Sequence, residues 1–235
     1  MQSQHTVTAF EDDMNYLTHK IAGMGGHAEK MIRDSVKALI DADIDLAKEV
    51  VRDDLVLDDG QRDIDDKAVL LIAQRQPMAN DLREVFANIR ISSDLERIGD
   101  MAKGIAKRVS SITEHTHGVK LARGIEHLSE LASAQLKEVL DCYGTRNVEK
   151  IEAIRERDEE IDAMYTSLFR ELLTYMMEDP RNITTCTQLL FCAKNIERIG
   201  DHATNIAEAV YYMVKGEKLD NYRPKEDKTH RVSVE

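Results

Sequence analysis

The six residues Leu95-Glu-Arg-Ile-Gly-Asp100 decide the fold, because the chain repeats them as Ile196-Glu-Arg-Ile-Gly-Asp201. The second copy lies 101 positions after the first (197 − 96 for the glutamates). Apolar residues within and after each copy keep this offset and are spaced three and four apart, which is typical of a helix packed along one seam. The chain is therefore predicted to contain two copies of one helical unit. The matched pairs are Leu95 and Ile196, Ile98 and Ile199, Ala102 and Ala203, Ile105 and Ile206, and Val109 and Val210.

Prolines, turn residues and caps divide the chain into six predicted helices, three on each side of the segment 113–118. Pro77 and Pro180 each disfavour helix at the preceding residue. We therefore predict an all-α fold of two tandem, pseudo-symmetric three-helix units, residues 1–115 and 116–217, with a polar tail at 218–235. The predicted helices cover residues 10–40, 46–74, 80–112, 119–142, 147–178 and 183–215.

The composition favours long helices and excludes several classes of protein. Hydrophobic residues make up 42% of the chain and aromatic residues only 5%, and the formal net charge is −12. A nucleic-acid-binding protein needs a basic surface, so nucleic acid is not an expected partner. Three cysteines without a C-x-x-C pair are expected to be reduced, mostly buried thiols. No apolar run approaches the length of a leader or a membrane span, so a cytoplasmic protein is expected.

Pairs of acidic residues four positions apart recur on the predicted helices. This spacing places two carboxylates one turn apart on one helix face, where a bound cation would relieve their repulsion. Carboxylate oxygens are hard ligands that suit magnesium, manganese or iron. The alternatives are that the repeated string is kept for packing, or that the pairs belong to solvated charged faces. The pairs are Glu96 and Asp100, Glu197 and Asp201, and Asp158 and Asp162.

A helical projection at about 100° per residue predicts where these carboxylates point. Glu96 and Asp100 lie well away from the seam that begins at Leu95, so we expect them to face outward. Asp158 and Asp162 flank the apolar stripe of their helix more closely. An acidic cluster open to water, between the second and third helices of each half, is therefore expected.

The sequence does not predict an enzyme. It contains no G-x-S-x-G motif and no phosphate-binding glycine loop after a strand. Di-iron bundles use inward Glu-x-x-His motifs, and here the only such motif, Glu114 to His117, lies in the connector between the halves. His202 could be an extra ligand beside Asp201, but Met101 stands in its place in the first half. A metal-dependent carboxylate-bundle enzyme, or a metal storage protein, remains the alternative reading.

Together these motifs closely resemble the PhoU family. Besides the twofold Glu-Arg-Ile-Gly-Asp, the chain has Met24-Gly25, the segments 75–77 and 81–83, and Tyr175-Met-Met-Glu-Asp179 in the same order. The resemblance covers roughly residues 5–216. It implies two similar three-helix bundles with spectrin-repeat-like packing, related by a pseudo-twofold axis and usually found in a homodimer.

The resemblance also implies a function. Family members are non-enzymatic negative regulators of phosphate uptake and of the phosphate-starvation (Pho) regulon. They link the ATPase subunit of the phosphate ABC transporter to a phosphate-sensing membrane histidine kinase, at the inner face of the cytoplasmic membrane. Members also bind metal through E(D)-x-x-x-D pairs, and the resemblance implies iron, manganese, magnesium or zinc for this chain. In this chain the implied ligands are the three pairs above together with Asp65, where Gln61 replaces the expected acidic partner. The first-half site is therefore expected to bind metal less well or to recruit Asp58.

Overall fold

The computed structural model describes residues 2–113 and 122–219. Across these ranges the chain is helical and contains no strand, which confirms the all-α prediction. The helices are α1 (Gln2–Asp41), α2 (Ile44–Arg75), α3 (Asn80–Ala106), α4 (Val109–Thr113), α5 (Arg123–Thr145), α6 (Ile151–Glu178) and α7 (Ile183–Lys215), with a 3₁₀ turn at Pro180–Asn182. The predicted boundary at residues 115 and 116, the Glu114–His117 motif and most of the predicted tail lie outside the described residues.

The breaks between the helices have the local causes expected from the sequence. Asp43 caps α2, because its Oδ1 accepts hydrogen bonds from the backbone N–H groups of Asp45 at 3.0 Å and Leu46 at 2.9 Å. Gln76 ends α2 in the left-handed conformation, with φ at 49°. The third predicted helix differs from expectation, since it divides into α3 and α4 at a turn through residues 107–108.

Two three-helix bundles share one continuous apolar core. Helices α1, α2 and α3 pack against one another, as do α5, α6 and α7, while α3 against α7 and α1 against α5 join the two halves. All ten seam residues predicted from the repeat are fully buried. Cys142, Cys186 and Cys192 are free and buried, as expected.

Contacts between α3 and α7 display the pseudo-twofold relation directly. In one direction Asp94 Oδ1 accepts a hydrogen bond from Asn205 Nδ2 at 3.4 Å and lies 2.9 Å from His202 Nδ1. In the other direction Asn195 Nδ2 donates to the Met101 carbonyl at 3.3 Å. Asn195 is the equivalent of Asp94, and His202 of Met101, at the same offset of 101 positions. The two copies of the repeated helix therefore cross each other in an antiparallel arrangement.

The glycines of the repeat allow close approach of neighbouring helices. A Cβ atom on Gly99 would collide with the Leu57 side chain of α2, and one on Gly200 would lie 3.0 Å from Ile161 Cδ1 of α6. Both glycines are buried. None of the helices in the described residues combines the length and apolar character that crossing a membrane requires.

Candidate functional site: two carboxylate clusters

The second-half cluster consists of Asp158 and Asp162 on α6 with Glu197 and Asp201 on α7. The close approach at Gly200 brings these helices together, since a Cβ on that residue would lie 3.3 Å from Asp158 Oδ1. Burial raises the pKa of Glu197, and the negative charges of Asp201 and Asp162 raise it further. The structure therefore gathers four of the predicted ligand residues at one place.

The first-half cluster consists of Asp54 and Asp58 on α2 with Glu96 and Asp100 on α3. A Cβ atom on Gly99 would lie 3.5 Å from Asp54 Oδ1. Burial raises the pKa of Glu96, and the charges of Asp100, Asp58 and Asp54 act in the same direction. This cluster is the pseudo-symmetric counterpart of the second-half cluster.

The expected place of Asp65 beside Glu96 is corrected by the structure. Asp65 follows Asp54 by eleven residues and is displaced by about 16 Å along the helix axis. Besides burial, only the neighbouring Asp66 contributes to raising its pKa. Asp65 is therefore not a member of the first-half cluster.

Sequence patterns do not single out Asp54, and they offer Asp58 only as a substitute for Gln61 at the Asp65 site. The dipeptides Ile64-Asp65 and Ile161-Asp162 match at an offset of 97 positions, but this match puts the counterpart of Asp162 two helical turns too far along α2. The signal was present, because Asp54-Leu-Val-Leu-Asp58 and Asp158-Glu-Glu-Ile-Asp162 share an apolar residue before the second aspartate. Leu57 and Ile161 are the residues that contact the two repeat glycines.

The expectation of an acidic cluster open to water is wrong for the second half. Asp158 and Asp162 are each 3% exposed and Glu197 is 4% exposed. Glu96 and Asp100 keep more contact with solvent, with side chains 18% and 34% exposed. The projection assumed one buried face, but α7 packs against α3, α5 and α6 and is therefore covered on several sides.

Glu197 holds a buried carboxylate oxygen that the protein leaves unsatisfied. Its Oε1 accepts a hydrogen bond from Lys194 Nζ at 2.8 Å, whereas Oε2 is buried without a hydrogen-bond partner. Lys194 also lies 5.0 Å from the centre of the Tyr165 ring. A buried, unpartnered carboxylate oxygen is costly, and a cation bound beside it would offset that cost.

Asp158 is anchored by a chain of buried polar groups. Thr204 Oγ1 donates to Asp158 Oδ1 at 3.3 Å, and Gln135 Nε2 of α5 donates to Thr204 Oγ1 at 3.1 Å. The same amide lies 3.1 Å from the Ile154 carbonyl. These hydrogen bonds connect all three helices of the second half. They therefore hold the Asp158 carboxylate in a fixed position.

The residues of the second-half cluster fit a hard cation in charge and ligand type. As the side chains stand, no group of three or more His, Cys, Asp or Glu residues in the described ranges is close enough to hold a metal. Binding would therefore require side-chain rotation to bring the four carboxylates together. His202 does not belong to this set, because its Nδ1 lies against Asp94.

Comparisons with known proteins agree over nearly the whole chain. The family model described as the PhoU domain matches twice, at residues 21–109 and 125–210. The phosphate-specific transport system accessory protein PhoU homolog of Rhizobium meliloti (strain 1021) is 61% identical, covering 97% of each chain. The protein of the same description from Caulobacter vibrioides (strain NA1000 / CB15N) is 48% identical, covering 96% of this chain and 98% of the other.

Solved structures show the same fold. The crystal structure of PhoU from Pseudomonas aeruginosa superposes with a TM-score of 0.85 at 36% identity, covering 88% of this chain and 100% of that chain. The crystal structure of the phosphate transport system regulatory protein PhoU from Streptococcus pneumoniae gives 0.80 at 28% identity, over 90% of this chain and 99% of that chain.

Proposed function

Because the chain belongs to the PhoU family, we propose that it is a negative regulator of phosphate uptake and of the phosphate-starvation regulon. It acts as a non-enzymatic adaptor between the ATPase subunit of a phosphate ABC transporter and a phosphate-sensing histidine kinase. The observation that carries the proposal is the match over 97% of both chains to a protein described as an accessory of the phosphate-specific transport system.

The acidic surface supports a docking role. With a net charge of −12, the chain would associate with basic patches on the cytosolic faces of the transporter and kinase, and these partners would recruit it to the inner face of the membrane. Such association weakens as salt screens the charges. Binding to the purified transporter ATPase is therefore expected to weaken between 0.05 and 0.5 M salt, roughly in proportion to the charges engaged. Affinity that does not change with salt would contradict the electrostatic part.

Gene disruption tests the regulatory role. In phosphate-rich medium, loss of the gene is expected to make a phosphate-repressed phosphatase constitutive, and the wild-type gene on a plasmid should restore repression. Normal repression in the disrupted strain would instead favour the metal-dependent enzyme or storage protein.

A homodimer is part of the proposal. Helix α2 exposes four apolar side chains, Leu55, Val56, Val69 and Leu70, each more than half exposed. Exposed apolar side chains of this kind are found at protein interfaces, although single ones are also common elsewhere on surfaces. Sedimentation equilibrium is expected to give twice the chain mass of 26.7 kDa, and a monomer at micromolar concentration would contradict this part.

We further propose that the second-half cluster binds a hard metal ion such as manganese, magnesium or iron, with zinc less suited to an all-oxygen set. The ion would offset part of the negative charge of Asp158, Asp162, Glu197 and Asp201 and join α6 to α7, which is a structural rather than a catalytic contribution. The unpartnered Glu197 Oε2 supports this assignment.

Metal content of the purified protein tests the ligands. Glu197→Gln combined with Asp201→Asn is expected to abolish binding of manganese after dialysis against the ion. Glu208→Gln is the matched control, because Glu208 is an exposed glutamate on the same helix. Equal metal content in the double variant and the control would remove these residues from the ligand set.

A further inference from the structure

The two carboxylate clusters differ at one position that the repeat makes equivalent. Lys103 in α3 and Thr204 in α7 are related by the offset of 101 positions. Thr204 is neutral and donates a hydrogen bond to Asp158 Oδ1 at 3.3 Å. Lys103 brings an ammonium group to the same place in the first-half cluster.

The Lys103 ammonium connects the two helices of its cluster. Its Nζ donates a short hydrogen bond to Asp54 Oδ2 of α2 and another, at 3.2 Å, to Asp100 Oδ1 of α3. Asp54 is 2% exposed, so this contact compensates a buried carboxylate. A lysine ammonium is positively charged at neutral pH, so both hydrogen bonds bring a full positive charge to the carboxylates. A cation is therefore already present between the carboxylates of α2 and α3.

Lys194 does not have the same position in the second-half cluster. It lies one turn before Glu197 on α7, and its side chain is 41% exposed. Its ammonium group also makes a cation–π contact with the Tyr165 ring. Its contact with Glu197 uses Oε1 and leaves the buried Oε2 unsatisfied. The equivalent of Lys194 in the first half is Ser93, so this lysine is also a difference between the halves.

We propose that Lys103 is an internal counter-ion that occupies the cation position of the first-half cluster, so that only the second-half cluster accepts metal. The inference rests on the proposed metal binding and adds its stoichiometry: one site in a chain with two related clusters. It also explains why the Lys103 side chain reaches across to α2 although it could extend into water, as a lysine on a helix surface usually does.

Manganese stoichiometry in the full-length chain tests the proposal. After equilibrium dialysis with Mn²⁺ and elemental analysis, wild type is expected to hold one ion per chain. Lys103→Thr, which copies the second half, is expected to hold two, and Thr204→Lys, which copies the first half, none. Lys107→Thr is the matched control, since Lys107 is exposed one turn further along and should leave one ion bound.

A second substitution at Lys103 shows whether misfolding accounts for the result with Lys103→Thr. Lys103→Thr leaves the buried Asp54 without its ammonium, so its metal-free melting temperature is expected to fall and to recover when Mn²⁺ is added. Lys103→Gln keeps a hydrogen-bond donor near Asp54 without the charge, and it should also bind two ions. Circular dichroism of each variant shows whether it is folded before its stoichiometry is compared.

The outcomes separate this inference from the metal proposal itself. Two ions in wild type, or no gain in either folded Lys103 variant, would overturn the counter-ion role. No ion in wild type but one in Lys103→Gln would uphold that role while removing the second-half site. One ion in both wild type and Thr204→Lys would show that the two positions are not equivalent and would also overturn the inference.

Discussion

Tyr143 Oη donates a hydrogen bond to Asn88 Oδ1 at 2.7 Å and so joins α5 of the second half to α3 of the first. Both residues are buried, Tyr143 at 5% exposed and Asn88 at 0%. Burial raises the pKa of Tyr143 to about 12. The bond is one of several polar links between the halves, and two measurable consequences follow from it.

Tyr143→Phe is expected to lower the free energy of unfolding at pH 7 by about 1–2 kcal/mol, because the Asn88 oxygen then stays buried without its donor. Urea denaturation measures the change. Tyr16→Phe serves as the control, since Tyr16 lies on α1 with 44% of its surface exposed. Equal stability of Tyr143→Phe and wild type would show that the bond makes no net contribution.

The same tyrosine makes stability depend on alkaline pH. The unfolded phenol ionises near pH 10, whereas the folded one keeps its proton up to about pH 12. Between these values the folded state binds more protons than the unfolded state, so wild-type stability falls as pH rises. The loss attributable to this group is on the order of 2 kcal/mol at pH 12. Tyr143→Phe should not show this loss of stability. If the free energy of unfolding falls equally with pH in both proteins, Tyr143 is not the group responsible.

Replacing glycine by alanine is expected to have opposite effects at Gly99 and at Gly23. Gly99→Ala is expected to cost about 1–3 kcal/mol, because its new methyl group would collide with Leu57 and force α2 and α3 apart. Gly23→Ala is expected to stabilise the protein by about 0.5–1 kcal/mol, since Gly23 is exposed within α1 and its Cβ would meet nothing within 4 Å. Thermal denaturation of the pair measures both signs. Destabilisation by both would mean that helix propensity does not govern the Gly23 site.

The elements that could be predicted from the sequence depend on local patterns. The seam through Leu95 and Ile196 follows from spacing alone, and the breaks near Pro77 and Pro180 follow from the geometry of proline. The burial of Glu197 could not be predicted in this way, because α7 packs against α3, α5 and α6 and is covered on several sides. A projection of one helix carries no information on how many neighbours that helix has.

The first-half carboxylates Asp54 and Asp58 show a different limit of prediction from the sequence. Acidic residues number 44 in this chain, so D-x-x-x-D spacing alone is weak evidence for any site. Asp54 and Asp58 became distinguishable only when the contact of Leu57 with Gly99 set the register of α2 against α3. Register between helices is a property of tertiary packing, and a shift of two turns leaves the same face of each helix buried.

The three cysteines are expected to be inert in the folded protein. Burial raises the pKa of Cys192 to about 12 and also raises the pKa values of Cys142 and Cys186. Reactivity requires the thiolate and access to it, and both are suppressed here. Ellman's reagent at pH 8 should therefore titrate no thiol in the native state and three in denaturant. Rapid reaction of one thiol in native buffer would identify a site of local opening.

Asp94 and His202 provide the sharpest test of the contact between the halves. The 2.9 Å contact between His202 Nδ1 and Asp94 Oδ1 joins α3 to α7. Both side chains are largely buried, so removing one of them leaves the other without this partner. A double-mutant cycle of Asp94→Ala and His202→Ala is expected to give a coupling energy of about 0.5–1.5 kcal/mol. Because His202 contacts Asp94, His202→Ala should leave the manganese content at the wild-type level. The double variant Glu197→Gln, Asp201→Asn should not. Loss of manganese in His202→Ala without loss of fold would instead make the histidine a ligand and would require the α7 side chains to rearrange around the ion.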